Sequence, residues 1–157
     1  VLTNRTEAHY IYRARNKLVR FFIYCNNYKR CNLKEYTSAL IIDDDIDLCM
    51  TLRAVLRSSI SGIHTANTLE EARRRLPELK PEVIFLDNNL PDGEGVSMVK
   101  EIKEQLPGTA IIFITAVDSA KTLALEYGVD VYLEKPLTFS AITGALKSLG
   151  ANKQQLQ

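Results

Sequence analysis

The 157-residue sequence predicts an α/β fold in which a five-stranded parallel sheet is covered on both faces by five helices. Three observations carry this expectation. Beyond residue 38, short uniformly apolar runs alternate with stretches of helical periodicity, the pattern of repeated βα units. Five such units can be read. The length fits one ordinary domain with a short appendage, and 46% hydrophobic with 25% charged residues is the composition of a globular protein with a sizeable core.

In chain order, ALIID (39–43) reads as a buried strand, and the segment after it sets Leu48, Leu52, Val55 and Leu56 on one helical face. GIHTA (62–66) is a short strand. Thr68 then caps TLEEARRRL, and Glu71 three residues on completes a capping-box pattern. Pro77 and Pro81 are expected to break that helix before EVIFLD (82–87), a strand apolar throughout. NLPDGEG has loop chemistry, and a helix over about 96–105 follows with Val96, Val99 and Ile102 turned inward. TAIIFIT (109–115) is the most apolar strand. A helix from about residue 118 ends at Gly128, a natural left-handed terminator. VDVYLEK (129–135) is the last strand, and Pro136 opens the turn into a helix carrying Ile142, Ala145, Leu146 and Leu149.

For five βα units of this length the common doubly wound order is 2-1-3-4-5, the flavodoxin-like arrangement. It sets the first and third strands side by side where the winding reverses, and ligands bind beyond the strands' carboxyl ends at that point. Those ends carry Asp43 and Asp44 after the first strand, Asp87 after the third, Thr115 after the fourth and Lys135 after the fifth. Converging carboxylates repel and resist burial unless something compensates. A hard, oxygen-seeking divalent ion suits them, and Mg2+ bound by a few carboxylates is the usual solution. A hydroxyl and an ammonium beside that ion are what a dianionic phosphoryl group needs, so the strand ends describe a phosphoryl-transfer site with one aspartate as nucleophile. The plainer alternative is a set of helix caps and ordinary strand residues. Asp45, third in LIIDDDIDL, suits capping.

Four blocks, LIIDD, VIFLDNNLP, IIFITA and YLEKP, together resemble the signature of the response-regulator receiver domain, the phosphoacceptor module of two-component signalling. The resemblance runs from residue 38 to about 150, leaving a basic extension over 1–37 and a tail over 151–157. It implies that Asp87 is the phosphoacceptor, that Asp44 and Asp87 ligate Mg2+ directly with Asp43 acting through a bound water, and that Asn89 adds its backbone carbonyl. Thr115 and Lys135 would each contact a phosphoryl oxygen, and Tyr132 would be the aromatic switch that follows Thr115 inward. Gly95 matches the glycine closing the loop after the phosphoacceptor. Asn89 and Val117 stand where the family tunes phosphoryl lifetime.

The function so implied is Mg2+-dependent acceptance of a phosphoryl group from a sensor histidine kinase or histidine phosphotransfer protein, or from acetyl phosphate. Slow hydrolysis of the aspartyl phosphate follows. This is a switch with self-directed chemistry rather than an enzyme with a turnover substrate. Its output is a population shift altering a face within 120–127, 129–134 and 141–149, read by a downstream protein. Kinase docking is expected near Ile46 and Cys49–Met50, with Leu137. The seven residues ANKQQLQ after the last helix are too few for a DNA-binding or catalytic output domain, so a stand-alone receiver or a piece of a longer regulator is expected. Two alternatives have other chemistry: a haloacid-dehalogenase-like phosphatase, whose DxDx[TV] block DDDIDL fails to complete, and a receiver-like binding module that works without phosphorylation.

Charge is distributed unevenly. Residues 1–38 hold eight Lys/Arg against two acids, while the remainder holds twelve against seventeen, which together leave a net charge of +1. In the basic part Ile11, Ala14, Leu18, Phe21, Phe22 and Cys25 share a helical stripe opposite Arg13, Lys17 and Arg20. Such a helix suits an anionic membrane, a partner face or nucleic acid; the plain alternative is a poorly ordered extension. Cys25, Cys31 and Cys49 form no CxxC pair, and His9 and His64 add no zinc-finger spacing, so reduced thiols and a cytoplasmic location are expected, with Cys49 as ordinary helix packing. No apolar run reaches the roughly 18 residues of a spanning helix.

Overall fold

The computed structural model describes residues 36–116 and 120–154, the side chains of 151–154 excepted. The basic stripe and Val117 lie outside the described residues. Five strands, β1 (Ser38–Ile42), β2 (Gly62–Ala66), β3 (Val83–Asp87), β4 (Ala110–Thr115) and β5 (Val131–Glu134), form one sheet. Its order is β2-β1-β3-β4-β5 and every pairing is parallel, as the doubly wound pattern requires. The helices are α1 (Ile46–Leu56), α2 (Leu69–Leu79), α3 (Val96–Gln105), α4 (Lys121–Glu126) and α5 (Phe139–Gln154).

Central strands in such a sheet are covered on both sides, and β3 and β4 are buried at every position. Side chains alternate between the faces. Leu40, Ile42, Ile84, Leu86, Ile111 and Phe113 enter one core with Leu69 and Leu76 of α2 and Val99 and Ile102 of α3. The intervening Ile41, Phe85 and Ile112 turn to the other face, where α1 and α5 bury Leu52, Leu56, Ile142 and Leu146. Among the described residues, packing extends two positions ahead of β1. Tyr36 is buried, and the Thr37 carbonyl accepts from Gly62 N at 3.0 Å.

The helix starts follow local chemistry. Asp45 is the N-cap of α1, its Oδ1 accepting from Leu48 N at 3.1 Å. At α2, Thr68 Oγ1 accepts from Glu71 N at 3.0 Å as the capping pattern predicts, but the Glu71 carboxylate returns to Asn67 N, one residue before the cap. Pro77 does not break α2, contrary to expectation; the helix runs to Leu79. The proline removes only the bond to the Arg73 carbonyl, on a face where both residues are exposed to water. The helix stops at Lys80, left-handed at φ 40°, just before Pro81. Within NLPDGEG, read as loop, Asn89 pairs with Glu94 and Leu90 with Gly93 as a small antiparallel hairpin. Gly128, at φ 95°, ends α4 as expected.

Candidate functional site

Parallel register brings the acids together. Ile42 of β1 lies opposite Leu86 of β3, so Asp43 emerges beside Asp87. Both are almost wholly buried, at 1% and 2% exposure, while Asp44 next to them is open to solvent. Carboxylate oxygens of Asp43, Asp44 and Asp87 all lie within 4.8 Å of one another. Lys135, one residue past β5, places Nζ 2.9 Å from Asp87 Oδ1 and 3.1 Å from Asp43 Oδ2. The other oxygens take main-chain donors: Asp45 N to Asp43 Oδ1 at 2.9 Å and Asn89 N to Asp87 Oδ2 at 3.0 Å.

The electrostatics of this group are unbalanced. Burial pushes the Asp43 carboxyl above its usual range and Asp87 adds to the rise, against the pull of the Asp45 N–H and of Lys135. Burial works to lower Lys135, but its hydrogen bond to Asp87 and the charges of both aspartates outweigh that and hold the ammonium above its ordinary value. One lysine facing three acids leaves two negative charges without compensation. The donors are all hard carboxylate oxygens, with Asp44 on the solvent side. That chemistry fits a divalent ion of the magnesium type.

The other predicted residues occupy the same end of the sheet. Thr115 is fully buried at the end of β4, one residue past Ile114, which pairs with Asp87; its carbonyl accepts from Lys135 N at 2.9 Å. Tyr132 pairs with Phe113 and is half-buried, its ring 6.5 Å from that ring and 5.0 Å from Lys121 Nζ. Asn89 is exposed at the start of the hairpin. Gly95 closes the loop: its N donates to the Asn88 carbonyl at 2.8 Å, and a Cβ there would stand 2.0 Å from the Asp87 carbonyl oxygen.

Ile46 and Met50 are 67% and 64% exposed, one turn apart on α1. Cys49 is buried, as its expected helix packing requires, and its thiol donates to the Asp43 carbonyl at 3.3 Å, so it takes no part in the docking surface also expected near it. Burial, helped by Asp43 and Asp45, pushes that thiol up to about 12.

Three supporting residues escaped the sequence reading. Asn88 Oδ1 accepts from Val96 N at 3.2 Å and so caps α3. Asn67 Nδ2 donates to the Asp43 carbonyl at 2.9 Å. Asp92 accepts from the first amides of α2, and those hydrogen bonds, Leu69 N before Glu70 N, hold its carboxyl below the usual range. Asn and Asp in a turn are ordinary loop residues, so only Asn88, next to the candidate nucleophile, carried any signal.

Residues 39–147 match the family model described as the response regulator receiver domain. The chain is 37% identical over 112 residues to the "Probable C4-dicarboxylate response regulator DctR" of Halalkalibacterium halodurans, covering 68% of this chain and 48% of that protein. With the alkaline phosphatase synthesis transcriptional regulatory protein PhoP of Bacillus subtilis it is 31% identical over 112 residues, covering 70% and 47%. The chain thus spans about half the length of these curated relatives, and 27% of another. A solved two-component response regulator from Clostridium difficile matches at 33% identity and TM-score 0.66, over 72% of this chain and 94% of that one. A CheY-like receiver domain protein from Methanospirillum hungatei, 22% identical over 78% of this chain and 99% of its own, shares the fold at TM-score 0.72.

Proposed function

The chain belongs to the response regulator receiver domain family, and on that premise we propose that it is a phosphoacceptor switch with Asp87 as nucleophile. The observation that carries this reading is the convergence of Asp43, Asp44 and Asp87 with Lys135 at the carboxyl end of the sheet. Asp43, Asp44, Asp87 and the Asn89 carbonyl would hold Mg2+, which when bound neutralises charge on the transferring phosphoryl group.

An Asp87 oxygen bonds to phosphorus as the phosphorus–nitrogen bond of a partner's phosphohistidine breaks, and the imidazole leaves with that electron pair. Lys135, already on Asp87 Oδ1, follows the charge to a phosphoryl oxygen while keeping Asp43, and Thr115 Oγ1 donates to another. The donor is a sensor histidine kinase or histidine phosphotransfer protein. Exposed Ile46 and Met50, with Leu137 after the Lys135–Pro136 step, offer it an apolar docking surface.

Engagement of Thr115 draws Tyr132 inward from its half-buried position against Phe113. The face of α4, β5 and α5, where Leu123 and Leu125 are exposed, is thereby altered for a downstream protein. Asn89 at the rim places the water that hydrolyses the aspartyl phosphate. The cycle acts on the protein's own aspartate and turns over no separate substrate. The phosphatase alternative needs Asp45 as the second acid of its motif, whereas Asp45 spends its carboxylate on Leu48 N.

Intact-mass measurement after incubation with acetyl phosphate and Mg2+ is expected to show one added phosphoryl group per chain, and none in Asp87→Asn. Addition that survives the substitution, or proceeds unchanged in EDTA, would contradict the reading.

A further inference from the structure

The turn joining β2 to α2 supplies no candidate ligand, yet it is bonded to both loops that do. On one side Asn67 Nδ2 donates to the Asp43 carbonyl at 2.9 Å, so the peptide between Asp43 and Asp44 is held from outside its own loop. On the other side Asp92 grips the first turn of α2, Oδ1 accepting from Leu69 N and Oδ2 from Glu70 N, each at 2.9 Å. The two loops approach closely there: a Cβ on Gly93 would stand 3.2 Å from Leu69 Cδ1. Asp92 is the tip of the hairpin whose Asn89–Glu94 and Leu90–Gly93 pairs tie its position to that of Asn89. Asn67 is itself fixed by Glu71, whose carboxylate accepts from Asn67 N at 3.0 Å.

We propose that Asn67 and Asp92 are positioning residues for the divalent ion, clamping the Asp43–Asp44 peptide and the Asn89 carbonyl to opposite sides of the β2–α2 turn. The inference rests on the phosphoacceptor reading above. A site whose donors come from separate loops binds well only when they are held within about 0.5 Å of the productive geometry. Here the holding bonds come from a third connection. Neither residue touches the ion or the phosphoryl group.

Calorimetric titration of Mg2+ into the full chain tests this, with thermal unfolding recorded for each variant. Asn67→Ala and Asp92→Ala are expected to weaken Mg2+ binding about three- to tenfold, the scale of one lost hydrogen bond. Asp92→Asn, which keeps an acceptor oxygen, should recover part of the loss. Thr68→Ala is the control for mere fraying of α2, since it removes that helix's own cap and neither bridge. It should lower the unfolding midpoint yet keep Mg2+ affinity within about twofold of the parent, since neither hydrogen bond that ties the ligand loops to the turn is removed. Asp92 is exposed, so its variants report even if Asn67→Ala fails to fold. Parental affinity in Asp92→Ala, or equal weakening in Thr68→Ala, overturns the clamp and leaves the phosphoacceptor reading standing. A parent chain that binds no Mg2+ overturns that reading and the clamp together.

Discussion

Both oxygens of Asp87 are engaged in this arrangement, Oδ1 by Lys135 and Oδ2 by the Asn89 amide, and the same division holds for Asp43. Each buried carboxylate thus has a fixed dipole and a share in one lysine, which offsets part of the cost of setting two of them side by side at such low exposure. The carbonyl of Asp87 is just as constrained. Gly95 has an ordinary helical φ of −57°, so its requirement is space rather than conformation: a methyl group there would meet the Asp87 oxygen at 2.0 Å. Backbone cannot yield as a flexible side chain can. Gly95→Ala is therefore expected to cost about 1–3 kcal/mol through overpacking, seen as a lower urea midpoint with an unchanged slope. A midpoint equal to that of the parent would show that the loop does not pass so close.

At the level of elements, the three consecutive acids of LIIDDDIDL divide their work by position. Asp43 ends the ladder of β1 through its bond from N to the Ala66 carbonyl, Asp44 faces solvent beside Asp87, and Asp45 caps α1. Asp45→Ala should destabilise the protein by about 1 kcal/mol, the worth of an N-cap, while phosphorylation by acetyl phosphate persists. Loss of phosphorylation in that variant would place Asp45 in the site instead. Capping at Thr68 and Asp45 was legible because the donors and acceptors are three residues apart in sequence. The continuation of α2 through Pro77 was not, since it depends on Pro77 and Arg73 lying on an exposed face of the helix. The packing of Cys49 was legible beside Leu48, Leu52, Val55 and Leu56, whereas its exclusion from the surface of Ile46 and Met50 depends on how far burial extends around the helix.

For the molecule as a whole, five apolar runs separated by helical periods were enough to read the sheet order, and the order alone predicts that Asp43 and Asp87 become neighbours. Thr115 and Lys135 then follow as the ends of the next two strands. What sequence could not show were the bridges between loops, because Asn67 with Asp43 and Asp92 with Leu69 join residues more than twenty positions apart and leave no local pattern. The family match covers residues 39–147 and so spans every residue of the cluster. The proposed switch turns on one bond, between an Asp87 oxygen and phosphorus. Borohydride reduction of the acetyl-phosphate-treated protein, which converts an aspartyl phosphate to homoserine, followed by tandem mass spectrometry, locates that bond directly. Homoserine at position 87 is the predicted result; homoserine at Asp43 or Asp44, or none anywhere, would contradict it.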